Sequence, residues 1–162
     1  MHTIFLALGS NIGDQESQIN QAVELLKVKI ADIVVAPLYR SKAVGVTNQP
    51  DFVNTALIGK TELTPLELLE FVKTVEQQVG RVYRYHWGPR EIDIDIIFFD
   101  DVILKTDVLE IPHPRMQERD FVLRPLLDLS PTLVHPVFKK RLSELLENAT
   151  QAIYPKHTHS KL

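Results

Sequence analysis

The chain has 162 residues, 44% hydrophobic and 24% charged, a balance that fits a soluble globular domain and excludes a disordered or fibrous chain. Cysteine is absent, which excludes disulfide frameworks, zinc–thiolate sites and a cysteine nucleophile, and suits a reducing, cytoplasmic setting. The net charge of -3 argues against a general nucleic-acid binder, no apolar run approaches the roughly 18 residues of a membrane span, and the apolar opening Met1–Gly9 lacks the basic leader and cleavage site of a signal peptide.

Ile4-Phe5-Leu6-Ala7-Leu8 reads as a buried strand that ends in the turn Gly9-Ser10-Asn11. Ile19, Ala22, Val23, Leu26 and Ile30 follow helical spacing, with Asn11 or Asp14 as the cap. The β-branched stretch Ile33–Val44 predicts one strand, Gly45–Pro50 a polar turn, and Phe52–Thr61 the next strand. Thr64, Pro65 and Glu67 form a capping box with a first-turn proline, and Leu68, Val72, Val75 and Val79 form one apolar stripe that Gly80 ends. Arg81–Arg90 is a basic, aromatic loop, and Ile92–Phe99 alternates as a strand. Phe121–Leu129 has helical character despite Pro125, and Leu142, Leu145, Leu146 and Ala149 predict a short last helix. There is no repeat of about 20–50 residues and no long linker. Residues 1–162 therefore read as one domain, with 155–162 a flexible tail. The order βαββαβ predicts an α+β, ferredoxin-like antiparallel sheet with both helices on one face, the other face free for a site, and a C-terminal extension.

Asp93 and Asp95 are the most informative pair. In a strand, residues i and i+2 share a face, so these carboxylates stand roughly 7 Å apart at Cα and repel unless a cation lies between them. Mg²⁺ takes such carboxylates together with phosphate oxygens, and two ions about 4 Å apart share such ligands. From spacing alone, a solvent-facing strand edge with two charges is an equal account. The preceding loop tips the balance. Arg81, Arg84, Arg90 and His86 offer donors for phosphate oxygens, and no acid lies among them. Trp87, Tyr83 and Tyr85 are costly to leave exposed in a mere surface turn. Glu76, in the last turn of its helix, opposes the helix dipole by about 0.3–1 kcal/mol unless an arginine such as Arg81 compensates it. By itself it reads as an exposed glutamate among glutamines. Phe52 with Asn54, His113 between two prolines, and Phe121 near Arg119 are weaker signals. Each has an ordinary structural account.

Taken together these motifs resemble the 6-hydroxymethyl-7,8-dihydropterin pyrophosphokinase family. Four segments carry the resemblance, in the family's order: Leu8–Asp14, Tyr39-Arg40-Ser41 with Gln49–Asn54, Arg81 with Trp87–Arg90 and Asp93–Asp95, and Pro112-His113-Pro114 with Arg119-Asp120-Phe121. The resemblance implies transfer of pyrophosphate from ATP to a hydroxymethyl-dihydropterin in folate biosynthesis, by a monomer that binds neither nucleic acid nor membrane. It implies two Mg²⁺ ions on Asp93 and Asp95, a pterin between Phe52 and Phe121, and Asn54 on the pterin's polar edge with main-chain groups of Ser41, Lys42 and Val44. It implies Arg81 and Arg90 as catalytic contacts to the phosphates, Trp87 closing over the site, and Glu76, Arg84, Ile96, His113 and Arg119 on the nucleotide. Two positions depart from the family pattern, Tyr83 and His86, where arginine is usual. Arg84 stands one place from the first. Two rival readings remain at this level: a nucleotidyl transferase that releases pyrophosphate, and an RNA-binding module of similar topology.

Overall fold

The structure, a computed structural model, describes residues 1–43, 48–86 and 88–154. Val44, Trp87 and the 155–162 tail lie outside the described residues. Strand β1 (His2–Ser10) runs into helix α1 (Gln15–Leu26), whose cap is Asp14, with its carboxylate accepting from the Ser17 N–H. Ile30 falls beyond the helix but still fills the core. The expected strand over 33–44 is two short ones, β2 (Ala31–Val35) and β3 (Tyr39–Ser41). Pro37 lies in the break, where it has no N–H to give to the ladder. Both pair with β4 (Phe52–Thr61). Helix α2 (Pro65–Val79) has the full capping box at Thr64 and Glu67, and Gly80 closes it at φ 114°, a left-handed conformation that glycine adopts without strain. Strand β5 (Asp93–Phe99) completes the sheet.

The sheet order is β2–β4–β1–β5, antiparallel throughout, with β3 beside β4. This is the expected ferredoxin-like arrangement. Ile4, Leu6 and Leu8 of β1 point with Ile94 and Ile96 toward α1 and α2, and Ile19, Leu26, Leu68, Val72 and Val75 pack onto them. Phe5 and Ala7, with Ala56 and Phe98, point the other way.

That second face is not wholly free. A hairpin of β6 (Leu104–Lys105) and β7 (Glu110–Ile111), a 3₁₀ turn (Met116–Glu118), helix α3 (Asp120–Leu129) and helix α4 (Leu142–Leu146) follow β5. Met116, Val122, Leu123, Leu126 and Leu142 pack on Phe5, Ala7, Ala56 and Phe98 in a second core. Pro125 sits well inside α3 and does not disturb its start. The extension covers one end of the face, and the end carrying Gly9, Asn54 and Asp93 is left open. Among the described residues, no helix is long and apolar enough to cross a membrane.

Candidate active site

Register places the site. Across the open end of the sheet, Asn54 pairs with Gly9 and Gly9 with Asp93; one step deeper, Ala56 pairs with Ala7 and Ala7 with Asp95. Partners across a ladder share a face, so Asn54, Asp93 and Asp95 all rise from the side opposite α1 and α2. The middle positions are small by necessity. A Cβ on Gly9 would stand 2.9 Å from Asn54 Oδ1 and 3.5 Å from a Phe52 ring carbon. Strand β5 is an edge strand of the sheet.

Three adjoining cavities meet at Asp93 and Asp95, which line all of them. The first, about 120 Å³, is a slot bounded by Phe52, Phe121, Asn54, Lys42 and Gly9. The second, about 580 Å³, is a basic cleft with Arg81, Arg84, Arg90, His113, Arg115 and Arg119. The third, about 420 Å³, runs past Glu76, Ile96, Lys73, Thr106 and His113. Arg90, Arg115 and Arg119 border the first two, while Arg81 and His113 border the second and third.

Each wall of the slot carries a cation on its aromatic ring. The Arg90 guanidinium lies 5.1 Å from the Phe52 ring centroid, and that of Arg119 lies 5.8 Å from Phe121. Asn54 is buried, and its amide donates to Ser41 Oγ at 2.6 Å, which fixes the direction of its carbonyl. The Lys42 N–H is taken by Ala152 O at 3.0 Å. Asn11, absent from the sequence-based list, is the hinge of this region. Its carbonyl accepts from the Arg90 N–H at 2.9 Å, and its amide donates to Gln49 Oε1 and Pro50 O. It thereby ties the entries to Phe52 and Arg90 to one turn.

Glu76 is only 7% exposed, not the surface glutamate expected of its setting. One of its oxygens accepts from the Ile94 N–H at 2.7 Å and from Arg81 Nη1 at 3.0 Å, and the same nitrogen reaches Asp93 Oδ1 at 3.0 Å. Arg81 thus compensates the helix end, as anticipated, and bridges Glu76 to Asp93. Burial pushes the Glu76 carboxyl up, against the pull of the Ile94 N–H and Arg81. Burial, with the Asp93 and Glu76 charges, pushes Asp95 up to about 8. Burial and the Arg119 charge push His113 down to about 4, so its ring is neutral near pH 7. Its Nδ1 accepts from the Arg115 N–H at 3.2 Å.

Arg84 borders the cleft and is held at its rim. Its guanidinium grips Glu91 through both nitrogens, at 3.1 and 2.5 Å, and donates to Val82 O and Pro89 O. Tyr83 is 77% exposed and Tyr85 half-exposed, so burial does not explain them. Arg115 was missed. Its signal was a third basic residue in the segment from His113 to Arg119, hidden behind the two prolines.

A cation fits here. Two carboxylates share one face beside three guanidiniums, and burial, with the Asp93 and Glu76 charges, drives Asp95 toward neutrality. Among the described residues there is no group of three or more acids and histidines that would hold a metal by itself. Phosphate oxygens and water would have to complete the shell, as they do for Mg²⁺ bound to a nucleotide.

A family model for 7,8-dihydro-6-hydroxymethylpterin-pyrophosphokinase matches residues 5–131. The chain is 46% identical over 144 residues to the 2-amino-4-hydroxy-6-hydroxymethyldihydropteridine pyrophosphokinase of Aquifex aeolicus, covering 89% of this chain and 90% of that one. It is 45% identical over 127 residues to the enzyme of the same name from Bacillus subtilis, covering 77% and 76%. The folic acid synthesis protein fol1 of Schizosaccharomyces pombe is 42% identical over 147 residues, and the match spans 88% of this chain but 20% of that protein. The crystal structure of Plasmodium falciparum HPPK-DHPS superposes with a TM-score of 0.70 at 17% identity, over 91% of this chain and 43% of that one, a likeness of fold. The chain belongs to the 7,8-dihydro-6-hydroxymethylpterin-pyrophosphokinase family, whose Mg-ATP-dependent transfer of pyrophosphate to a pterin in folate biosynthesis is its activity.

Proposed function

We propose that the three cavities divide the reaction between them: pterin in the aromatic slot, the triphosphate in the basic cleft, and adenosine along the third. The observation that carries this is the position of Asp93 and Asp95 at the one place where all three meet. Phe52 and Phe121 stack on the pterin and the Asn54 carbonyl accepts from its polar edge. Main-chain groups of Ser41 and Lys42 add to that edge. The Lys42 N–H is already spent on Ala152, so its carbonyl is the group that remains. Asp93 and Asp95 would hold two Mg²⁺ ions, which would neutralise phosphate charge and acidify the attacking hydroxyl.

The hydroxymethyl oxygen attacks the β-phosphorus in line. The new O–P bond forms as the bond from that phosphorus to the α-phosphate oxygen breaks, AMP carries away the bond electrons, and the hydroxyl proton is released to solvent. Such a step needs positioning and charge stabilisation more than covalent help. Arg81 and Arg90 supply donors to the oxygens whose charge grows. Arg119 and neutral His113, with the N–H on its Nε2, donate to the nucleotide phosphates, and Ile96 lies against the base. Glu76 acts through Arg81, and Arg84 through Glu91, by setting the cleft rather than by direct contact. One domain acting as a cytoplasmic monomer suits two small-molecule substrates.

The test is AMP release with Mg-ATP and 6-hydroxymethyl-7,8-dihydropterin. AMP that forms only with both pterin and Mg²⁺ present is the expected result. Pyrophosphate release in place of AMP would overturn the reading in favour of nucleotidyl transfer.

A further inference from the structure

An aspartate stands directly before each phenylalanine of the slot: Asp51 before Phe52, and Asp120 before Phe121. Both are bound by the same short segment, residues 150–154, which lies outside the sequence motifs. Asp120 is 8% exposed, and its Oδ2 accepts from the Ala152 and Ile153 N–H groups at 3.0 and 3.1 Å. Two residues on, the Tyr154 hydroxyl donates to Asp51 Oδ1 at 3.0 Å. Asp51 raises the pKa of that hydroxyl, which keeps it a donor.

The backbone of the segment is held along its length. Thr150 N donates to Glu118 O at 2.9 Å, just before α3. Lys42 N donates to Ala152 O and Tyr154 N to Arg40 O, both at 3.0 Å, so that Ile153 forms an antiparallel bridge with Ser41. The Lys42 ammonium lies 5.9 Å from the Tyr154 ring centroid. One segment therefore joins the first turn of α3, the edge strand β3 and the residue that precedes β4.

The two aromatic walls stand at the first residue of β4 and near the first residue of α3, where elements fray most easily. A stacked ligand is sensitive to the separation and tilt of its walls, and a displacement of about 1 Å at a binding group is felt in rate or affinity. We propose that residues 150–154 are a strap that sets the width of the Phe52–Phe121 slot, with Tyr154 a positioning residue for the pterin. This rests on the reading of the slot as the pterin site.

The test uses the full chain and the AMP-release assay. Tyr154→Phe, which removes one oxygen, raises the KM for pterin about five- to tenfold and leaves kcat and the KM for ATP within about twofold. Its thermal midpoint stays within about 2 °C of the parent. Asp51→Ala behaves alike, Asp51→Asn, which keeps the accepting oxygen, stays near the parent, and the double variant Tyr154→Phe/Asp51→Ala is no worse than either single one. An unchanged pterin KM in Tyr154→Phe overturns the strap. So does a parallel rise in both KM values with a lowered midpoint, which would mark a merely structural bond. Phe52→Ala separates the two levels. If it raises the pterin KM while Tyr154→Phe is silent, only the strap falls; if it leaves the pterin KM unchanged, the slot reading falls and the strap with it.

Discussion

The aromatic slot and the basic cleft share two aspartates but are built by opposite means. The floor and one wall of the slot are made of sheet: Gly9, Asn54 and Phe52 are fixed by ladder register, and the buried Asn54–Ser41 bond orients the polar group, while the other wall, Phe121, stands on α3. The cleft is made of loop: among the described residues of 81–90 none joins a ladder, and side-chain pairs hold them, Arg81 with Glu76 and Asp93, and Arg84 with Glu91. A backbone ladder sets position to fractions of an ångström before any ligand arrives. Ion pairs at a loop hold a shape that a polyphosphate can displace. On the proposed assignment, a rigid ring would meet a preformed surface, and a flexible, highly charged chain an adaptable one.

The largest expected effect lies where the two regions meet. Asp95→Ala should lower kcat by about 10³-fold or more while the thermal midpoint holds or rises, since it removes a carboxyl that burial and the neighbouring Asp93 and Glu76 disfavour in its charged form. Near-normal turnover would detach the aspartates from the chemistry of both regions. Gly9→Val comes next. Its side chain enters the space of Asn54 and Phe52, so pterin KM should rise about 10- to 100-fold with ATP KM almost unchanged. A matched loss of both would mean that the slot is not separately built. Arg84→Ala should act on the cleft alone, lowering kcat about three- to tenfold and raising ATP KM, with pterin affinity measured without ATP preserved.

The smallest effect tests the support behind the slot by pH. His135 is buried against Phe98 and Phe138, and its Nδ1 accepts from the Val137 and Phe138 N–H groups. Burial lowers its pKa from the ordinary value of about 6.5. Between that unfolded value and the lower folded one, the unfolded chain binds more protons, so stability is fully present above about pH 6.5 and falls as pH drops through the window. His113, lowered to about 4, adds in the same sense. His135→Asn keeps an acceptor without the titration and should reduce, not abolish, the loss of thermal midpoint between about pH 6.5 and 5. An unaltered slope would assign the whole effect to other groups.

The contrast between the regions also decided what the sequence could reveal. Strands, helices and their caps were legible because period and capping chemistry are local: Thr64, Glu67 and Gly80 mark α2 within a few residues. The faces of Asp93 and Asp95 followed from alternation. What failed was non-local. The β-branched run 33–44 hides a break whose only mark is Pro37, Glu76 is buried by a strand 18 residues away in sequence, and Arg84 is turned aside by Glu91 after the loop. The residues 150–154 have no periodicity and no charge pattern, and their meaning lies wholly in partners such as Asp51 and Asp120.

One strand writes the depth of the slot as a taper. Along a single face of β1 the side chains shrink from Phe5 to Ala7 to Gly9, while the opposite face keeps Ile4, Leu6 and Leu8 at full size. The hollow is thus carved by subtraction from an otherwise solid layer, with no part that must move to open it. Its size is a ratio of volumes at alternate positions, so slipping the strand by one residue would drive Leu8 and Ser10 into the space and fill it. On the proposed reading, the room for a flat ring of limited bulk then depends on strand register as well as on the two aromatic walls.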